Sequence, residues 1–276
     1  MSERSEYPAG VPCWVDTLGP DPERLTDFYA AIFGWEFVGP RPMPGESSGG
    51  YRVARLWDRD VAGVGSAPSG AEPERPGWNT YIRVDSADGA AEKATRAGGA
   101  VVVAPFDALP AGRTAVLADA VGAHFCVWEP RVRQGAQLVN EPAAWSMSFL
   151  NARDPEAAAA FYYAMFGWET EAFQFGDMEA MLFRLPGFVG GEPEQPVPRD
   201  LVATMMPLEV GDAGESAESH WGVDFWIADT DAAAARVEEL GGKAIVAPYD
   251  NPGFRTAVLA DPNGAAFSVS QLKLAG

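Results

Sequence analysis

Two histidines and two cysteines in a chain of 276 residues set the first limits. His124 and His220 are too few for an ordinary histidine-rich metal site. Cys13 and Cys126 cannot form a disulfide framework or a four-cysteine zinc site. Basic residues are also scarce: 20 Lys and Arg stand against 39 Asp and Glu, a net charge of −19. Such a surface repels nucleic acid and anionic membranes, so neither is expected as a partner. No apolar run approaches the roughly 20 residues of a membrane span. The start MSERSEYPAG lacks the basic and apolar regions of a signal peptide. A soluble, reduced, cytoplasmic protein is expected, as a monomer or homodimer.

What is present is enough for packed cores. Hydrophobic residues make up 47% of the chain and aromatics 11%, which excludes a disordered acidic polymer. The excess of Asp and Glu is read as a solvated surface. At roughly 150 residues per domain, the length allows one large domain or two ordinary ones.

Internal repetition decides between them. DPERLTDFYAAIFGWEF at 21–37 returns as DPEAAAAFYYAMFGWET at 154–170, displaced by 133 residues. The block at 77–107 returns at 220–250, displaced by 143, and RTAVLADAVGAHFCV at 113–127 returns at 255–269, displaced by 142. About ten extra residues therefore fall in the middle of the second copy, near 171–219, where GFVGGEPEQPVPRD reads as a Gly/Pro-rich loop. Copies this long mean duplication of a domain, since solenoid repeats are much shorter. The boundaries expected are 10–131 for the first domain, 132–142 for a linker, and 143–271 for the second.

Each copy reads as strand, helix and further strands, given twice. Pro12–Leu18 has strand composition. Asp21-Pro22-Glu23 is a helix start, with Leu25, Phe28, Tyr29 and Ile32 on one face and Gly34 as the stop. Tyr51–Trp57 and Val61–Gly65 read as strands. They are followed by a strand at Asn79–Val84, a helix at Ala87–Ala97 capped by Asp85 or Ser86, and strands at Val101–Ala104, Thr114–Ala118 and Ala123–Trp128.

The FYxxxFGW motif after a DPE helix start, with the AGGAVVVAPFD and RTAVLADPNGAAF stretches, resembles the vicinal oxygen chelate superfamily of glyoxalase, bleomycin-resistance and extradiol dioxygenase proteins. The likeness covers nearly the whole chain and is especially close to tandem two-domain glyoxalase-like proteins of actinobacteria. It implies an α+β fold of two tandem domains, each of paired βαβββ modules whose curved sheet encloses a cavity. It does not fix a chemistry, because the superfamily hosts many.

In metal-dependent members the resemblance implies one ligand on the first strand, one on the fifth and one on the eighth, supplied by His, Gln or Glu. The matching positions here are Trp14, Asn79 and Cys126 in the first copy, and Met147, Gly222 and Ser268 in the second. None is His, Asp or Glu, so no metal and no cofactor are expected.

Side chains two apart on a strand share a face. Trp14 brings Asp16 to the first cavity, Asn79 brings Tyr81, and Cys126 brings His124 and Trp128. The second lining is Met147, Phe149, Gly222, Asp224, Ala266, Ser268 and Ser270, with Trp226 one step further. Asp16 and His124 form either an acid/base pair or two separately satisfied groups. Cys126 reads as a buried thiol, and His220 as a solvated loop residue. Asp224 needs a partner, and Arg255 or a tyrosine is the structural candidate; otherwise it is a catalytic acid.

Two functions fit these linings. One is a metal-independent protein that sequesters a small, largely apolar or aromatic metabolite or antibiotic. The other is a metal-independent enzyme using Asp16, His124 or Asp224 for isomerisation, cyclisation or elimination. The substitutions at the ligand positions argue against a third, a metal-dependent lyase or dioxygenase.

Overall fold

A computed structural model describes residues 2–42, 50–66, 76–175, 178–190, 198–208 and 218–273. After a short strand β1 (Ser2–Glu3), copy one runs β2 (Pro12–Leu18), α1 (Pro22–Phe33), β3 (Glu36–Pro42), β4 (Gly50–Leu56), β5 (Arg59–Gly65), β6 (Trp78–Arg83), α2 (Ala87–Arg96), β7 (Ala100–Ala108), β8 (Gly112–Ala118) and β9 (His124–Pro130). A second short strand, β10 (Leu138–Val139), then leads into copy two: β11 (Trp145–Ala152), α3 (Pro155–Phe166), β12 (Glu169–Phe175), β13 (Met178–Arg184), β14 (Leu201–Pro207), β15 (His220–Trp226), α4 (Thr230–Glu239), β16 (Lys243–Asn251), β17 (Phe254–Ala260) and β18 (Ala266–Leu272). Each copy is thus two βαβββ modules.

Local chemistry sets the helices. The carboxylates of Asp21 and Asp154 accept the backbone N–H groups of Arg24 and Ala157 at 3.0 Å. A proline occupies the first turn of each, where its missing N–H costs nothing. Gly34 (φ 69°) and Gly167 (φ 74°) close the two helices in the left-handed region. Ser86, rather than Asp85, caps α2, accepting from Gly89 N at 3.1 Å. A strand the sequence concealed, β3, follows α1 directly. Its pairing with β4 slips between Val38 and Arg41, around Gly39-Pro40, which interrupts the strand pattern.

Each copy forms one open eight-stranded sheet, ordered β3-β4-β5-β2-β6-β9-β8-β7 and β12-β13-β14-β11-β15-β18-β17-β16. The modules join where β2 runs antiparallel to β6, and β11 to β15. The faces that carry the helices meet between the copies. The hydroxyls of Thr80 and Ser148 bond at 2.7 Å across that junction. Helices reach over it as well: Phe28 and Phe33 of α1 pack edge-on to Phe267 of copy two, while Phe161 of α3 packs on Phe125 of copy one. The other face of each sheet therefore points away from the partner copy.

The stretch between the copies is more than a spacer. β10 pairs with β1 (Ser2 with Val139), and Ala136 N donates to Cys13 O at 2.8 Å. Of the Gly/Pro-rich loop at 187–200, residues 191–197 lie outside the described residues, as do 209–217. The loop's described ends are tied by Gly190 N to Arg199 O at 2.7 Å. Among the described residues no helix is long and apolar enough to cross a membrane.

Candidate functional site

Strand β6 alternates buried and half-buried residues along its length. Trp78, Thr80 and Ile82 enter the core, leaving Asn79 and Tyr81 on the outward face. Pairing with β2 puts Asp16 opposite Asn79 and Trp14 opposite Tyr81, and pairing with β9 puts Cys126 beside Tyr81. Trp14, Asp16, Asn79, Tyr81, Cys126 and Trp128 therefore share one floor.

Asp16 is its centre and is 1% exposed. One carboxylate oxygen accepts the Asn79 side-chain N–H at 2.8 Å. The other accepts the hydroxyls of Tyr81 at 2.8 Å and Tyr51 at 2.9 Å. The Trp14 indole N–H donates to the Tyr51 oxygen at 2.7 Å, which makes a chain from indole to phenol to carboxylate. Burial pushes the Asp16 carboxyl up to about 6, with the Asn79, Tyr81 and Tyr51 bonds holding it down in part. Trp128 stands edge-on to Tyr81, centroids 6.2 Å apart.

Tyr51 escapes a reading by strand alternation alone. It reaches Asp16 across β5 because Gly63 and Gly65 leave its ring room to lie down. A Cβ at 63 would stand 1.9 Å from the Tyr51 hydroxyl oxygen, and one at 65 would stand 2.9 Å from its Cδ2. Two glycines at i and i+2 in RDVAGVG are the signal that marks the space. Arg133, from the connecting segment, is the other group missed. Its guanidinium carbon lies 5.3 Å from the Trp14 ring centroid, and its Nη1 pairs with Asp60 at 2.5 Å. Its carbonyl accepts the Trp128 indole N–H at 2.9 Å.

His124 does not join Asp16. It opens β9 at an exposed position, and β6 lies between β9 and β2. Two strand spacings amount to roughly 10 Å, and Asn79 on the intervening strand takes the carboxylate instead. Of the two arrangements the sequence allows, the groups are separate, and Asp16 is a carboxylate held between two phenols and an amide rather than by a backbone group. Cys126 is buried, and burial pushes its thiol well above its ordinary range, so the thiolate is suppressed. His220 is exposed as expected but opens strand β15 rather than lying in a loop, with its ring nitrogens against Asn151 and the Glu218 carbonyl.

In copy two, Met147 faces Asp224 and Phe149 faces Gly222. The Phe149 ring covers that glycine, where a Cβ would come within 2.5 Å of it. Asp224 is half-buried and takes neither Arg255 nor a tyrosine. It accepts the hydroxyls of Ser146 at 2.6 Å and Ser270 at 2.7 Å. Arg255 instead ties Asp231 of α4 to Asp250 of β16, as Arg113 ties Asp88 of α2 to Asp107 of β7. Burial pushes Asp224 up to about 6, partly offset by the two serines. Ser268 pairs beside Asp224 on the neighbouring strand, and Trp226 is half-buried at the strand end. The acid has changed strand between the copies: Asp16 sits on β2, and Asp224 on the strand equivalent to β6.

The donor set does not suit the divalent cation bound by metal-dependent superfamily members. An indole N–H and a thioether stand at the first ligand position, and Gly222 has no side chain. The Asn79 amide is turned to Asp16, and the Cys126 thiol is held neutral. Asp16, the one anionic oxygen donor of its floor, already accepts three hydrogen bonds. Among the described residues no three His, Cys, Asp or Glu side chains gather.

The glyoxalase-like domain family model matches residues 14–128 and again 147–270. The chain is similar to the glyoxylase-named protein CFP32 of Mycobacterium tuberculosis, 36% identical over 98% of this chain and 97% of that one. It is also similar to the anthracycline biosynthesis protein DnrV of Streptomyces peucetius, 32% identical over 98% and 96%. Among solved structures, the Mn(II)-bound glyoxalase of Novosphingobium aromaticivorans shares the fold at a TM-score of 0.60 and 16% identity, over 96% of this chain and 83% of that one. The 2,3-dioxygenase LapB of Pseudomonas sp. KL28 does so at 0.59 and 13%, over 96% and 94%. Two matches in tandem, together spanning most of the chain, place it in the glyoxalase-like domain family.

Proposed function

We propose that the floor of copy one binds a small, flat, largely apolar or aromatic metabolite or antibiotic and sequesters it without a metal. The observation that carries this is the arrangement of Trp14, Tyr51, Tyr81 and Trp128 around one carboxylate whose three donors are all internal. The polar demands of the floor are met before a ligand arrives, so what it offers is the half-buried rings of Tyr51 and Tyr81, backed by buried Trp14 and Trp128. A relative named for anthracycline biosynthesis supports a planar polycyclic ligand. Two buried free cysteines fit a cytoplasmic location. The same proposal includes no nucleic-acid or membrane partner, and a monomer or homodimer.

Titration with 1,4-dihydroxyanthraquinone, followed by tryptophan fluorescence, tests binding. Saturable quenching is expected, weakened about tenfold by Tyr81→Ala; no quenching would sink the proposal. Stoichiometric Ni, Zn, Mn or Fe in the purified protein would sink its metal-independent part.

A second reading rests on the Asp16 carboxyl, pushed up to about 6. A group titrating there exchanges protons near neutral pH, as acid/base isomerisation, cyclisation or elimination requires. Asp16→Asn separates the two. An enzyme keeps its affinity and loses turnover; a sequestering protein shows no turnover to lose.

A further inference from the structure

A cavity of about 340 Å³ lies outside both floors, between the N-terminal segment and the chain that joins the copies. Arg4, Asp60, Arg133, Gln134 and Gln137 are among its walls. The volume is at the lower end of the roughly 300–1,000 Å³ of small-molecule sites.

Its charge is opposite to that of the molecule. The protein carries −19 overall. Here two guanidiniums meet one carboxylate: Arg133 pairs with Asp60 at 2.5 Å, and Arg55 pairs with the same group at 2.8 Å. Arg4 adds a third cation, donating to the carbonyls of Glu3 and Gly190. Glu3, next to Arg4 in the chain but not part of the wall, pairs with Arg59 at 3.3 Å. Among the described wall residues, Arg4 and Arg133 stand against Asp60, an excess of one positive charge. The Arg133 side chain is 14% exposed, so water screens it poorly. Polar donors flank it: the Gln137 side-chain oxygen accepts the Asp60 N–H at 3.0 Å, which turns its amide nitrogen the other way.

We propose that this cavity binds a small organic molecule through a carboxylate or phosphate group, with Arg133 taking the anion. A planar guanidinium suits either oxyanion. The excess of arginine in a partly open cavity of this size selects an anion over the cationic ligands that the overall charge would attract. The site borders the ring-lined floor, but the proposal does not rest on what binds there. The two share one side chain, because Arg133 also lies against the Trp14 ring. Filling the cavity therefore alters Trp14 emission.

Calorimetry and tryptophan fluorescence on the full chain test this, with benzoate, inorganic phosphate and uncharged benzamide as probes. At least one anion is expected to bind about tenfold more tightly than benzamide, and more weakly as salt is raised. Arg133→Gln is expected to abolish that preference and Arg133→Lys to keep part of it, which shows that lost charge and not lost folding is responsible. Binding of benzoate alone would assign carboxylate chemistry to the site, and binding of phosphate alone phosphate chemistry. Equal affinity for benzoate and benzamide with no phosphate binding, or wild-type behaviour in Arg133→Gln, would overturn the proposal.

Discussion

The Tyr29 hydroxyl of copy one donates to the Asp261 carboxylate of copy two at 2.9 Å, and accepts the Trp78 indole N–H at 3.0 Å. The duplicate repeats the relay in the opposite sense: Tyr162 of copy two donates to Asp119 of copy one at 3.0 Å and accepts from Trp221 at 2.8 Å. Each tyrosine is fully buried in its FY motif, and each aspartate also takes the backbone N–H groups of its own turn. The two motifs most plainly repeated in the sequence thus bind each other crosswise. Tyr29→Phe strands an indole N–H and part of a carboxylate in the core. It is expected to cost about 2 kcal/mol, read as a lower urea midpoint with an unchanged slope. Tyr162→Phe should cost about the same.

Asp16 contributes a loss of stability as pH rises from the ordinary carboxylate range to about 6, and Asp224 contributes a second in the same window. In that window the folded state keeps a proton that the unfolded chain has released, so raising the pH favours unfolding; below about pH 4 the penalty vanishes. Asp16→Asn removes the buried charge. Relative to wild type it is expected to gain up to about 3 kcal/mol at about pH 8 and close to nothing at about pH 4. Urea unfolding at the two pH values measures the difference, and an equal gain at both would refute the assignment of the penalty to ionised Asp16.

Local signals carried the sequence reading as far as they reach. Asp21-Pro22 and Gly34 delimit a helix within a few residues, and period-two alternation sets Trp14 and Asp16 on one face. Strand pairing then brings Asn79 and Tyr81 beside them. What was illegible depends on neighbours distant in sequence. The separation of His124 from Asp16 follows from β6 standing between their strands. The reach of Tyr51 follows from two absent Cβ atoms on another strand. Arg133 belongs to a segment without periodicity, whose place over Trp14 is fixed by its contacts with Ala111, Trp128 and Asp60.

Ala143 is held at φ 69°, in the left-handed region, while the corresponding Gly10 adopts φ 82° without penalty. Both carbonyls serve the same end. Ala143 O accepts the Trp35 indole N–H at 2.8 Å, and Gly10 O accepts that of Trp168 at 2.7 Å. The duplicated tryptophan of the FGW motif thus pins the start of the other copy and enforces that backbone. Ala143→Gly should relieve strain and stabilise by about 0.5–1 kcal/mol, while Gly10→Ala should destabilise by about 1–2 kcal/mol. Thermal unfolding of the pair checks both signs.

Gly63 and Tyr51 give a test of the floor itself. A methyl at 63 would overlap the Tyr51 hydroxyl, so Gly63→Ala must move the ring and break its bonds to Asp16 and Trp14 together. A loss of about 1–3 kcal/mol is expected, with a change in tryptophan emission. Tyr51→Phe keeps the ring in place and removes only the hydroxyl. That hydroxyl holds the Asp16 carboxyl down against burial. Without it the carboxyl should titrate above its present value of about 6, because desolvation is then opposed only by Asn79 and Tyr81. Carbon NMR of the labelled carboxyl group measures the shift. An unchanged or lower titration point in Tyr51→Phe would mean that Asp16 is held by something other than this pair of phenols.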